Sequence, residues 1–292
     1  MIEISPELQK RKEKSKSTLA QVYNLPSIPL VMMEVTRLLN NPNTSAIELA
    51  KVISRDQALV TKILTVANSP LYGLPRRVST IDFAIIILGF DHIKNIVIAL
   101  SMMEAFKNKS DKNLNQKNYW THSILTASAA KRIADDLGFH FTGEAFTAGL
   151  LHDLGIPVIH KYFNSEFLRI QDLASSGSMS YKNAQQETIG LEHQHIGNFL
   201  AQKWNLPLSL SDAILYHHTP SMAEQNQALA AIVHLADYMT VKLNVGYFNW
   251  DENYELDKSV ISTLNLRDEE FLESFILRYK DAFLGQVDSI KL

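Results

Sequence analysis

Two kinds of side chain recur in this chain in a pattern that can do chemistry. His152 and Asp153 are adjacent, at the end of the small, apolar run TAGLLHDLGI (147–156). Neutral imidazole and ionised carboxylate both bind divalent cations of borderline hardness. Neighbouring residues on a helix point about 100° apart, so the pair reaches one ion only if that ion sits off the helix end. Further ligands are available downstream and upstream. His122 lies on a face with Leu125, Thr126, Ala129 and Ile133, and His193 on a face with Ile196, Leu200 and Trp204. His195, two residues on, is turned about 200° from His193 and is expected to be exposed. His217 and His218 stand together before Thr219 and Pro220. Asp237 lies inside ALAAIVHLADYMTVK, where an unpaired carboxylate would cost several kcal/mol. A buried polar pair with His234, three residues earlier, or with a neighbouring helix is the alternative to a metal for Asp237.

The elements that must position these groups read as helices. Apolar residues recur at intervals of three and four, with Ser, Asp or Thr before each run and Asn, Gly or Pro after it. Helices are expected over 28–39, from Ser45 (a capping box with Glu48) through Ile53, after Asp56 to Ala67, from Ser79 to Leu88, and after Asp91 to Met103. Then come Tyr119–Leu137, one capped by Thr142, another from Ser165, and one after Ser180. Helices from His193 and from Ser211 or Asp212 follow. Gln227–Lys242 is apolar almost all round, so a buried central helix is expected. Asn244–Glu255 reads as an aromatic-rich loop, and helices over 259–264 and 268–283 close the chain. No strand alternation persists, and no strand–glycine loop–helix unit supports nucleotide binding.

Composition narrows the class. The 292 residues are 46% hydrophobic and 20% charged, with a formal charge of −3. This is ordinary globular composition, without the basic excess that drives nucleic-acid or acidic-membrane binding. No cysteine is present, which removes disulfides, thiolate nucleophiles and Cys-based zinc sites. No apolar run reaches the roughly 18 residues of a membrane span, and a cytoplasmic location is expected. Residues 1–17, with Lys10, Arg11, Lys12, Lys14 and Lys16, read as a polar, solvated leader. The polar run Lys107–Lys117 reads as a boundary between two lobes.

The set His122, His152–Asp153 and Asp237 resembles the H…HD…D signature of HD-superfamily metal-dependent phosphohydrolases. More closely, the chain resembles the HDOD domain, the HD-related output domain of bacterial signalling proteins. The resemblance runs over about Leu25–Lys242. It rests on LPSIP (25–29), DQALVTKILTVANSPLYG (56–73), STIDFAIIILGF (79–90), Glu187 with HQHIGNFLAQKWNLP (193–207), and His217–His218. It implies an all-α fold with an N-terminal helical lobe (18–110) packed on a larger HD-type bundle (111–245); the C-terminal loop and helices (246–292) are expected to pack on this module. It implies a metal set of His122, His152, Asp153 and Asp237, extended by His193, His217 and His218. The metal would be iron, manganese, zinc or nickel.

Two functions follow from the resemblance. One is a regulatory module that acts by contact with a protein partner in a bacterial signalling pathway, with no nucleic acid or membrane. The other is a phosphohydrolase or phosphodiesterase with Asp153 and His193 in catalytic roles. The sequence favours the first. Ile156 stands where active cyclic-di-GMP phosphodiesterases carry a lysine after HD, TPSMAEQ replaces their GYP segment, and basic residues beside these motifs, such as Lys131 and Arg132, are sparse.

Overall fold

In a computed structural model, residues 6–21, 34–35, 37–38, 41, 43–74, 76–105, 113–251 and 254–289 are described. Most of the helix expected over 28–39 and much of the expected boundary at 107–117 lie outside them. Among the described residues the fold is all-α, with no strand.

The N-terminal half contributes α1 (Pro6–Gln21), α2 (Ala46–Ile53), α3 (Gln57–Ala67), α4 (Ile81–Leu88) and α5 (Phe90–Ala105). Ser45 and Glu48 form the expected capping box, and Asp56 accepts from the Leu59 amide. These polar caps fix where α2 and α3 begin, and so turn Leu49, Ile53 and Ile63 inward. α1 is not a solvated leader. Leu19 is buried, Ser15 Oγ donates to the Ile189 carbonyl at 2.7 Å, and Arg11 pairs with Glu187 at 2.8 Å.

The second half is built around two long helices, α6 (Gln116–Asp136) and a buried one near the end. Between them come α7 (Thr142–Leu151), α8 (Gly155–Tyr162), α9 (Asn164–Ser175), α10 (Tyr181–Ile189), α11 (His193–Lys203) and α12 (Leu208–Tyr216). α13 (Gln227–Lys242) is buried on nearly every side, as its composition demands. The chain closes with α14 (Ser259–Thr263), α15 (Glu269–Leu277) and α16 (Lys280–Ser289).

Several expected boundaries give way, and Asp91 and Thr142, expected before their helices, lie inside α5 and α7. α12 starts at Leu208, directly after Pro207, and the Asp212 carboxylate instead accepts the Glu224 and Gln225 amides. The helix expected over 268–283 is two helices, parted at Arg278–Tyr279, where buried Tyr279 donates to Asp136.

The core does not divide at residue 110. One buried cluster joins Leu49, Ile63 and Ile93 to Phe146, Leu150, Ile196 and Trp250. A second joins Leu125 and Ile133 to Ile232, Phe275 and Phe283. The larger bundle and the N-terminal helices thus share apolar packing.

Candidate metal centre

Two glycines set the spacing of the helices that carry the ligands. A Cβ on Gly149 would lie 2.9 Å from the Ala127 Cα, so α7 rests directly on the backbone of α6. A Cβ on Gly155 would lie 1.9 Å from the His193 carbonyl oxygen, so α8 rests on the first residue of α11. The first contact carries His152 to His122 and the second carries His193 to Asp153. His152 is the C-cap of α7 and Asp153 follows in the turn to α8, off the helix end as the dipeptide required.

The groups predicted from sequence come together as two half-sites that share Asp153. In the first, His122 Nε2 is 3.2 Å from His152 Nε2, 3.6 Å from Asp153 Oδ2 and 3.3 Å from Asp237 Oδ1. His152 Nε2 is 3.4 Å from Asp153 Oδ2 and 3.8 Å from Asp237 Oδ1. In the second, His193 Nε2 is 3.2 Å from Asp153 Oδ1, 3.4 Å from His217 Nε2 and 3.1 Å from His218 Nε2. His217 Nε2 is 3.8 Å from Asp153 Oδ1. All but His218, which is half-buried, are buried, and His195 is exposed as expected.

The hydrogen bonds around the rings decide which nitrogen faces inward. Nδ1 of His122, His152 and His217 contacts the carbonyls of Gly246, Gly149 and Ile214 at 3.1, 2.8 and 2.7 Å. A carbonyl only accepts, so each Nδ1 carries the proton and each neutral ring turns a bare Nε2 lone pair to the centre. His193 is set by the side chain of Gln185 instead, with Nδ1 3.1 Å from Oε1. Bare lone pairs 3.2 Å apart repel unless a cation or proton stands between them. Meanwhile none of the four carboxylate oxygens of Asp153 and Asp237 accepts a hydrogen bond, although all are buried. Donors held about 2.1 Å from one ion must stand about 3–3.5 Å apart; the contacts here run from 3.1 to 3.8 Å, so small shifts bring them onto an ion. The residues therefore fit a divalent ion in each half-site.

Protons compete for the same lone pairs. Burial opposes charge on Asp153, but His152, His193 and His122 outweigh it and hold its carboxyl well below the usual range. Burial also works to lower the His122 pKa, yet Asp237 and Asp153 leave it raised. His217 is pushed down to about 3 by burial, with neighbouring His152 and His193 adding to it.

His234 does not pair with Asp237. Its Nε2 accepts the Asp257 amide at 2.8 Å, so its Nδ1 carries the proton that faces the His217 carbonyl at 2.7 Å. It thereby ties the turn after α12 to the segment 254–257, where Tyr254 also donates to the His217 carbonyl at 3.0 Å. Gln185, Trp250 and Tyr254 were not singled out from sequence. Trp250 is stacked between Phe167 and Tyr181, with centroids 5.3 and 5.2 Å away, and this anchors the aromatic segment over the second half-site. Only its aromatic content hinted at that role.

A cleft of about 500 Å³ reaches the second half-site, lined by His193, His218, Gln185, Lys182, Glu192 and Trp250 among others. Lys182 is distant in sequence from every ligand, so folding supplies a cation that the motifs lack. Two larger hollows, of about 1200 and 1100 Å³, lie along Asn68–Val78 and beside His92, and neither is lined by a ligand histidine.

Residues 25–220, more than half of the chain, match the HDOD domain. The chain belongs to the HDOD domain family. An HDOD domain protein of unknown function from Geobacter sulfurreducens has a solved structure with a TM-score of 0.74 and 26% identity, covering 98% of this chain and 100% of that one. A Shewanella amazonensis protein, provisionally named a phosphohydrolase, has a TM-score of 0.70 and 22% identity, covering 94% of this chain and 98% of its own, and is similar in fold. An uncharacterized protein of Treponema pallidum is 24% identical over 280 residues, 95% of this chain. This HDOD chain spans about half that relative's length, 53%. No described helix of this HDOD protein is long and apolar enough to cross a membrane.

Proposed function

We propose that this HDOD protein holds two divalent transition-metal ions and hydrolyses a small phosphate ester in the cleft beside the second. The observation that carries the reading is the tautomer pattern: four imidazoles locked with bare Nε2 atoms converging on two buried carboxylates without hydrogen bonds. Such an arrangement is costly on its own and is relieved by cations.

His122, His152, Asp153 and Asp237 would hold one ion. Asp153, His193, His217 and His218 would hold the other, Asp153 being common to both sets. When bound, such ions supply positive charge and acidify water at neutral pH. The chain itself does the rest. The rigid Nδ1 contacts keep the ligands from turning, the stack on Trp250 closes one wall against water, and Lys182 offers a charge to a phosphate oxygen. Of the cleft's walls, only the side with His193 and His218 presents ligands, so a substrate enters from the second half-site.

A second reading, regulation by contact with a signalling partner, is favoured by one observation. Glu192, Glu255 and Asp257 line the cleft against the single Lys182, a balance that disfavours polyanionic substrates such as dinucleotides. Turnover is therefore expected for a small monoester or diester.

The test is metal analysis of protein purified without a polyhistidine tag, followed by assays on simple phosphate monoesters and diesters. Two ions per chain in the parent, and loss of metal and hydrolysis together in Asp153→Ala, are expected. Asp237→Ala should lose the first ion. A parent without transition metal would sink the proposal, and a metal-loaded parent inert on every ester would leave the regulatory reading.

A further inference from the structure

We infer that Gln185 builds the second half-site twice over: its Oε1 locks the ring of His193, and its Nε2 donates to an oxygen of the phosphate held in the cleft. The second half of this inference rests on the metal-dependent reading above; the first half does not.

Gln185 is fully buried on α10, and it accepts the His193 backbone amide at 2.6 Å and faces His193 Nδ1 at 3.1 Å through the same oxygen. A backbone N–H only donates, so the amide oxygen must be the atom turned to His193. The side-chain amide is thus oriented by its partners, with no freedom to flip. The imidazole must then carry its proton on Nδ1, leaving Nε2 for the cluster. The backbone bond adds a second constraint. It pins the first residue of α11, so ring and main chain of His193 are held by one atom.

The other end of the amide is unsatisfied. Gln185 Nε2 is buried and has no hydrogen-bond partner, although Gln185 lines the cleft. Buried donors without partners are uncommon in native folds and mark places that meet a ligand or an ion. A cation is ruled out as the partner of an N–H group, so the missing partner is an acceptor. Lys182 lies three residues earlier on α10 and lines the same cleft, so a charged and a neutral donor stand side by side. Lys182 pairs with Glu192 only at 3.8 Å, and the Glu192 oxygens also accept the side-chain amides of Gln186 and Gln194, so the ammonium keeps donors to spare. An anionic oxygen beside the second half-site satisfies both donors. The choice of residue agrees: a glutamate at 185 would lock His193 equally well but would turn a carboxylate toward that oxygen.

The substitutions Gln185→Glu and Gln185→Leu separate the two roles. In metal-free protein, nitrogen NMR of labelled histidine is expected to find His193 protonated on Nδ1 in the parent and in Gln185→Glu, and in mixed tautomers in Gln185→Leu. On metal titration, Gln185→Leu should bind the second ion about 10–100-fold more weakly, with the first unchanged. Gln185→Glu should keep both ions but bind inorganic phosphate at least ~10-fold more weakly in calorimetry of the loaded protein. Circular dichroism melts establish that each variant is folded. An unchanged His193 tautomer in Gln185→Leu overturns the ring-locking role. Phosphate binding in Gln185→Glu equal to that of the parent overturns the donor role. A parent that takes up no metal overturns the function proposed above and the donor role with it, while the tautomer measurement still decides the ring.

Discussion

Each imidazole in the centre is informative through the nitrogen that faces away from it. A backbone carbonyl behind Nδ1 turns a histidine into a fixed lone-pair donor, and three of the cluster's rings have one. His234 looks similar in sequence and sits three residues from Asp237, yet both of its nitrogens are used by other partners. His152→Ala is therefore expected to abolish the first ion, whereas His234→Ala should keep both ions and weaken the second by about 10-fold, since it only steadies His217. Metal titration by calorimetry separates the two. Binding also shifts stability by mass action, about 2.7 kcal/mol when free metal is 100-fold above its Kd. A chelator should consequently lower the melting temperature of the parent by several degrees and leave that of Asp153→Ala unmoved. Equal chelator shifts in both proteins would place the metal elsewhere.

Helices α7, α8 and α11 bring these residues together because they touch backbone to backbone. Gly155→Ala puts a methyl carbon 1.9 Å from the His193 carbonyl, closer than any contact allows, so α8 and α11 must part. The expected cost is about 3 kcal/mol in denaturant unfolding, with loss of the second ion before the first. Retention of both ions at full stability would show that this contact does not position His193. At this scale the sequence was a good guide wherever local chemistry decides. The box at Ser45–Glu48, the caps at Asp56 and Ser180, and the limits of α13 all follow from side chains within a few residues. It misled where a distant partner decides. Asp212 looked like an N-cap but bonds two amides from the next turn, and Tyr279 breaks a regular stripe to reach Asp136. The candidate ligands were legible as a cluster because His and Asp on apolar faces are conspicuous. Gln185 and Lys182 were not, because glutamine and lysine on a polar helix have nothing to mark them until α10 is packed beside α11.

The whole molecule is held together across its halves by packing in which a buried polar pair of the N-terminal half rests on the second half. Tyr72, in the turn after α3, faces His92 Nε2 at 2.6 Å from its hydroxyl, and both rings pack on Phe146 of α7. Lys131 of α6 lies 4.9 Å from the Tyr72 ring, and Asn95 and Gly143 lie alongside. Burial pushes the His92 pKa down to about 3, and Lys131 adds to it. His92 is thus neutral in the folded protein and shares a hydrogen bond with the Tyr72 hydroxyl. The sign of the pH effect follows. Above the unfolded value near 6.5 the ring is neutral in both states and titration contributes nothing. As pH falls from 6.5 toward 3, the unfolded chain takes up a proton that the folded chain refuses, and stability drops by about 1.4 kcal/mol per unit. His92→Gln keeps an acceptor for Tyr72 and removes the titration. Urea unfolding at pH 7, 6, 5 and 4, on metal-free protein so that the ligand cluster is common to both, should find the parent losing stability relative to His92→Gln across this window. Parallel pH profiles would mean that His92 takes up its proton without disturbing the fold, and that the contact between α5, α7 and the turn after α3 is looser than its geometry implies.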